Sequence, residues 1–471
     1  MKLRSLYIIL AAFAFSFWMS CDKPQLTTSP DARLEMGIDT LRFDTVFTGK
    51  GTITRAFVIR NPNRADIIIN RIYAGNASGF QLNINGMPAD DAGNIRIRGG
   101  DSIYVFVRAA IDPTQEANPF VLHDSIRVEY NTQIDKVMLN AWARNAVYIK
   151  AGFIEENTTW HKRLPIILTG PVIVDENIIL QIEAGTEIFA EAGAPFIVNG
   201  TLKAMGGPED GQRIVFRGSR LDAPYSEIPG TWPGILLNGS SRVNNLQYVT
   251  VLNAYKGLTV YGNTQAAFPQ VLLNGCIFHN HFDAALHAIN GGMRITNSQF
   301  TQSGNDGIPA SSGHTVLLEG GRYSIEHSTL STYSSFFTNH RQPTLAISNQ
   351  HNGTPIDVDV SLVNSIVYGK GSFTGDEILL QKSGNASWSV QLDHLLYEQK
   401  STLQNVMVTN ALLNVDPLFD TINTGRNIYR FTLRENSPAI DAGKTTTLTL
   451  DLLGNPRLAG TKPDLGSYEA Q

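Results

Sequence analysis

Apolar and polar residues alternate in short runs over the first third of the chain: Ala56-Phe57-Val58-Ile59, Asp66-Ile67-Ile68-Ile69, Ile95-Arg96-Ile97, Ser102-Ile103-Tyr104-Val105-Phe106-Val107 and Ser125-Ile126-Arg127-Val128. A two-residue period sends successive side chains to opposite faces of a strand, so one face can be buried and the other wetted. Asn61-Pro62-Asn63, Asn85-Gly86 and Gly99-Gly100 break the runs with residues that tolerate turn backbone. Short strands broken at this spacing predict a β-sandwich over residues 35–146.

From residue 147 to about 420 the pattern changes. Short apolar strands recur at spacings of roughly 20 to 40 residues, each followed by Gly or Asn, and one phase repeats. It reads Asn274-Gly275-Cys276-Ile277-Phe278, Asn297-Ser298-Gln299-Phe300, His327-Ser328-Thr329-Leu330 and Asn364-Ser365-Ile366-Val367, with weaker copies at Asn245-Leu246-Gln247-Tyr248 and Asp393-His394-Leu395-Leu396. A strand repeated in fixed phase marks a solenoid, in which each coil buries its apolar side only against its neighbours and like polar residues fall in register. The Leu-x-Leu frame of a leucine-rich repeat is absent, and the spacing is too uneven for propeller blades.

Three segments carry family resemblance. Phe43-Asp44-Thr45-Val46, Thr54-Arg55-Ala56-Phe57 and Arg60-Asn61-Pro62-Asn63 resemble the immunoglobulin-like domains of the ASPM/hydin group, which implies an Ig-like sandwich serving as spacer or binding module. Ile178-Ile179-Leu180-Gln181-Ile182-Glu183-Ala184-Gly185-Thr186, Ile197-Val198-Asn199-Gly200-Thr201-Leu202 and Pro229-Gly230-Thr231-Trp232-Pro233-Gly234-Ile235 resemble the first coils of bacterial pectate-lyase-like proteins. That resemblance implies a right-handed parallel β-helix over 147–420. Asn436-Ser437-Pro438-Ala439-Ile440-Asp441-Ala442-Gly443, Asp451, Gly454-Asn455-Pro456-Arg457 and Pro463-Asp464-Leu465-Gly466-Ser467-Tyr468-Glu469 are similar to the choice-of-anchor segment that closes many surface β-helix proteins. Residues 421–471 are therefore expected to cap the last coil, with Asp441, Asp451, Arg457, Asp464 and Glu469 as its charged network. The expected fold class is all-β: an Ig-like sandwich followed by the solenoid.

The first residues belong to export rather than fold. Lys2 and Arg4 precede an apolar stretch from Leu6 to Met19, too short to span a membrane and suited to a secretory signal. Ser20-Cys21 resembles a lipobox, although Trp18 stands where an aliphatic residue is usual, so Cys21 is the expected lipidation site and 22–34 its tether. The expectation is an exported cell-envelope lipoprotein, outer-membrane and periplasmic or surface-facing, meeting the membrane through its lipid alone. Cys276 is the one other cysteine, so a lipidated Cys21 leaves no intrachain disulfide. A net charge of −5 gives no electrostatic case for nucleic acid. Polysaccharide or a cell-surface partner is the expected ligand of a monomer.

No nucleotide loop, HExxH helix, CxxC pair or GxSxG elbow is present, so any chemistry must sit on a coil face. His279-Asn280-His281-Phe282-Asp283 places three donors two residues apart, on one strand face, as acid, base or metal ligands. Aligning Tyr255-Lys256-Gly257-Leu258, Asp283-Ala284-Ala285-Leu286 and Asn305-Asp306-Gly307-Ile308 stacks Tyr255 with Asp283, and Lys256 with Asp306. A carboxylate and a base on one edge suit a polysaccharide lyase, whose carboxylate holds Ca²⁺ and whose base takes the proton α to a uronate. Paired carboxylates on adjacent coils would suit a hydrolase. The same Asp, Asn and Gly also read as turn residues, and Asp357 with Asp359 as a solvated strand edge. The candidate catalytic set is thus Lys256, His281, Asp283 and Asp306, with Trp232, Tyr255 and His279 as ligand contacts. No cofactor is expected unless the protein is a lyase, and a non-catalytic binding or adhesion scaffold is the leading reading.

Overall fold

The computed structural model describes residues 25–471 apart from 52–53, 76–78, 115–118, 264–267, 306–310 and 372–374. Cys21 and the leader lie outside the described residues, as does Asp306. The chain divides after Asn145 into two compact units.

In the first unit a five-stranded sheet takes the order Thr40–Phe47, Gln133–Arg144, Phe120–Tyr130, Ile67–Ala74, Asp91–Ile97. A four-stranded sheet takes the order Arg55–Arg60, Ser102–Ala109, Phe80–Ile84, Met87–Pro88. The alternation read from the sequence is the burial pattern: Ile103, Val105 and Val107 are buried while Tyr104 and Phe106 are exposed. Both sheets send residues, among them Ile69, Leu139, Ile59 and Val105, into one core.

The second unit is a parallel β-helix. Each coil has three short strands, and each strand pairs in parallel with its equivalent one coil on. Sheet A contains Val249–Leu252, Ile277–His279 and Gln299–Thr301; sheet B contains Ile235–Leu237, Leu258–Tyr261 and Leu345–Ser348; sheet C contains Asn244–Gln247 and Val271–Asn274. Leu286–Thr296, Val316–Glu326 and Val358–Lys370 each bend through a corner and serve two sheets. Phe278 and Phe300 stack in the core, rings 5.1 Å apart and nearly parallel.

The sequence repeat marks the corner from sheet C to sheet A. Tyr248, Gly275, Asn297, His327, Asn364 and His394 all take positive φ there. One left-handed residue turns the chain sharply, a conformation Gly adopts freely and Asn more easily than most. The following residue forms a ladder: Cys276 N–H donates to Ser298 Oγ, Ser298 N–H to Ser328 Oγ and Ser328 N–H to Ser365 Oγ. Cys276 thus takes a serine position; it is fully buried, and burial pushes its thiol up to about 11.

Residues 419–470 pack against Leu396 and Leu412 of the last coils and also extend beyond them. After a hairpin of Phe419–Asn423 and Ile428–Leu433 they run back along the C-to-A corner and sheet A as a strap. Lys444 N–H donates to Asn364 Oδ1, Ser467 N–H to Thr329 Oγ1, Arg457 to Asn297 Oδ1 and Tyr468 Oη to Gln299 Oε1. Phe419, Phe431, Ala439 and Leu465 pack with Ile366, Tyr368 and Leu396 in a separate core. The corner column offers polar atoms coil after coil to this segment, while Met407, Val408 and Leu413 of the terminal coil stay exposed.

Candidate functional site

Of the expected catalytic set, the structure brings Lys256 and Asp283 together. They stand on the approach to sheet B, with Lys256 Nζ 3.4 Å from Asp283 Oδ2. Asp283 is fully buried, and its Oδ1 accepts Ser311 Oγ at 3.1 Å, Ser312 N–H at 2.8 Å and Ser312 Oγ at 2.7 Å. Its Oδ2 makes no aligned hydrogen bond, so Lys256 is a purely ionic neighbour. The carboxylate therefore organises the loop entering the next coil.

The expected alignment with Asn305-Asp306 is corrected by the register. Leu286 pairs with Val316, and Ala285 N–H donates to Thr315 O, so the coil equivalent of Asp283-Ala284-Ala285-Leu286 is Gly313-His314-Thr315-Val316. Asn305 precedes it in the chain, and Asp306 lies outside the described residues.

His281 takes a ladder position rather than a catalytic one. Its Nδ1 accepts Ala254 N–H at 3.1 Å and its own N–H donates to Ser303 Oγ at 3.1 Å, the pattern of the serine column one corner away. Burial pushes it down to about 3, so it is neutral at physiological pH. His279 points to the opposite face of that short segment, against the Tyr429 ring of the strap, with Nδ1 2.9 Å from Thr301 Oγ1. Trp232 is buried, stacks on Phe216 and donates its Nε1–H to Leu252 O at 2.8 Å, which removes it from ligand contact. Tyr255 and Asp283 do occupy equivalent places on adjacent coils, Asp283 N–H donating to Tyr255 O at 2.8 Å, while the Tyr255 ring stacks on Phe282 at 5.4 Å.

Lys256 instead begins a row across sheet B that composition does not reveal. Lys256 Nζ lies 3.0 Å from His287 Nδ1, and Glu319 Oε2 lies 2.7 Å from His287 Nε2 and 2.9 Å from His351 Nδ1. The roles are mutually consistent where the ammonium donates to His287 Nδ1 and the Nε2–H across the ring donates to the carboxylate. Burial pushes the Glu319 carboxyl up, but the two histidine bonds prevail and hold it below its ordinary value. Partners lie 31, 32 and 32 residues apart, two or three residues beyond the register steps from Leu258 to Leu286, Val316 and Leu345, so the row runs diagonally across the strands. The row ties successive coils and the Gln350–Pro355 hairpin together, and both ring nitrogens of His287 are engaged in it.

Beside it, at the corner from sheet B to sheet C, lies a groove of about 670 Å³. Its floor is Gly291, Gly292 and Gly321, where the coils present no side chain. Tyr323 locks that corner, its hydroxyl donating to Gly320 O and accepting Gly291 N–H. Phe268, Arg322, Asp357, Asp359 and Trp388 form the walls. The Arg322 guanidinium lies over the Phe268 ring at 4.4 Å and pairs with Asp359 at 3.2 Å. Asp357 Oδ1 accepts Ser387 N–H, and Trp388 Nε1–H donates to Asn405 O. Trp388 and Phe268 were not among the expected contacts, because each lies outside the repeated phase. Among the described residues, no group of three or more His, Cys, Asp or Glu is arranged to hold a metal ion.

No protein-family model matches the chain, and no curated protein matches it. Among solved structures it is similar to a family 123 glycoside hydrolase from Clostridium perfringens, described in a study of glycolipid glycan hydrolysis. The identity is 9%, over 24% of this chain and 26% of that one, with a TM-score of 0.19. The chain thus spans about a quarter of that enzyme's length, and a likeness at this TM-score bears on neither fold nor function.

Proposed function

We propose that this protein is a cell-envelope glycan-binding scaffold that holds a polysaccharide along the sheet B to sheet C corner of a right-handed β-helix. The observation that carries the reading is the groove at that corner. It crosses successive coils and is walled by an aromatic ring, a guanidinium and two carboxylates, the mixture of apolar face and hydrogen-bonding edge that a sugar ring presents. Right-handedness follows from the strong chirality of parallel crossovers. The lipobox-like Ser20-Cys21 supports a lipid tether at the envelope, and the motif at Phe43–Asn63 supports an Ig-like spacer.

Cleavage of the glycan is the second reading, favoured by the approach of Lys256 to Asp283. Against it stand the burial of Asp283 and the engagement of both His287 ring nitrogens, by Lys256 and by Glu319. Affinity electrophoresis of the purified chain through gels containing single polysaccharides tests the binding reading. At least one gel should retard the chain, and Trp388→Ala should restore its mobility. Release of reducing ends or unsaturated product, lost in Lys256→Ala, would replace binding with cleavage.

A further inference from the structure

The groove also indicates what kind of glycan fits. Its lining carries one cation, Arg322, against two carboxylates, Asp357 and Asp359, which leaves one net negative charge. Arg322 is already committed to Asp359 and to the Phe268 face. Among the groups whose partners are described, two acceptors are left over. Asp357 uses one oxygen on Ser387 N–H, leaving the second. Gln270, almost fully buried at the groove, spends both amide hydrogens on Ser241 O and Tyr261 O and leaves Oε1 with no partner. A buried acceptor without a donor is costly unless something supplies one. A ligand rich in hydroxyl or amide N–H donors can supply the open Asp357 oxygen directly and Gln270 Oε1 only where the groove wall gives way to it; a ligand of carboxylates would face like charge.

Length is set by the coils. The lining comes from five successive coils, at 268–270, 290–292, 321–322, 357–359 and 387–389. Four steps of about 4.8 Å make a track of about 19 Å along the axis. Building on the glycan-binding reading, we propose that the groove selects an extended neutral glycan, plain or N-acetylated, and rejects uronates.

Gly292 gives the means to test this. A Cβ there would meet nothing nearer than Gln270 N at 3.6 Å and Phe268 Cδ2 at 3.7 Å, so a side chain is accommodated and occupies the track. Calorimetric titration of the full purified chain uses five-sugar probes: xylan, mannan, glucan and chitin fragments against oligogalacturonate and oligoguluronate. At least one neutral probe should bind at least about tenfold tighter than either uronate. Gly292→Leu, with its melting temperature checked, and Trp388→Ala should each remove that binding. Asp357→Asn with Asp359→Asn should raise uronate affinity by about fivefold per carboxylate, the worth of one solvated charge contact. Uronate binding that is tighter and blocked by Gly292→Leu overturns the neutral class but keeps the groove. Neutral binding indifferent to both variants overturns the groove, and no binding by any probe overturns the glycan reading as well.

Discussion

At single residues, the solenoid is held by positions whose chemistry the sequence shows but whose phase it blurs. The repeat of Asn or His before Ser is visible, and its cause is a left-handed corner followed by a serine whose hydroxyl takes the next coil's N–H. Asn274 looked like a member by composition, but the corner residue is Gly275, because the register pairs Asn274 with Thr296. His281 shows the same blur: on a strand face it suggests catalysis, while in its corner its Nδ1 accepts the N–H of Ala254 one coil back, as a ladder serine does. Its burial has a pH consequence. His281 and His327 are both pushed down to about 3 by burial, below an unfolded value of about 6.5. The unfolded chain binds these protons first, so the stability they confer is present above pH 6.5 and lost as pH falls toward 3. Each should contribute a slope of about 1.4 kcal/mol per pH unit in that window. Glu469, pushed up to about 7 by burial, acts in the opposite sense, its contribution fading as pH rises from 4.5 through 7. Denaturant titrations between pH 4.5 and 6.5 should show stability falling with acid, and His281→Gln should flatten that fall. An unchanged slope in the variant would mean that the imidazole is not kept neutral by burial.

At the scale of elements, the C-terminal segment was legible as a unit and its charged residues as a network, but not its placement. Asp451, Asp464 and Glu469 gather around the buried Arg457, with Glu469 at 3.6 Å; Asp441 joins them through its N–H, which donates to Asp464 Oδ1, and Asp451 Oδ1 accepts the N–H groups of Leu453 and Asn455. Nothing in the segment's own composition says that Arg457 will reach Asn297, 160 residues back. That depends on the polar column which only the stacked coils create. The groove was illegible for a related reason: its floor is made of glycines and its walls come from five coils, so no single stretch carries the pattern. The strap's dependence on Arg457 is measurable. Arg457→Met removes the cation from among buried carboxylates and leaves Asn297 Oδ1 without its donor. Loss of one partner of a buried pair costs about 3 to 5 kcal/mol, so chemical denaturation should show a fall of that order. A fall within about 0.5 kcal/mol would mean that the network is solvated and the strap held by its apolar side chains alone.

At the scale of the molecule, a solenoid is nearly one-dimensional, and left to itself it would open coil by coil from either end. The strap changes that for part of its length. Asn427 bonds to Glu227, Tyr468 to Gln299, Ser467 to Thr329 and Lys444 to both Asn364 and Asp393, so one continuous segment ties coils that otherwise touch only their neighbours. Gly454 passes so near Pro208 that an added Cβ would lie 2.9 Å from its ring. The coils built from Val147–Ile149 through Ile179–Glu183 have no such tie among these contacts. Two tiers of opening follow: the first coils should fray on their own, while those from about 208 to 396 should open as one cooperative unit. Native-state hydrogen exchange distinguishes the cases. Amides of Leu180 and Ile182 should exchange through a low-energy opening, and those of Phe278, Phe300 and Leu330 only through a larger one shared among them. Arg457→Met should lower the second energy and leave the first unchanged. A smooth gradient of protection from both ends, indifferent to that substitution, would show that the coils remain independent and that the strap is a passenger on their flank. The groove lies within the tied coils, so its five rungs are held in one frame, which is what a track that recognises an extended chain requires.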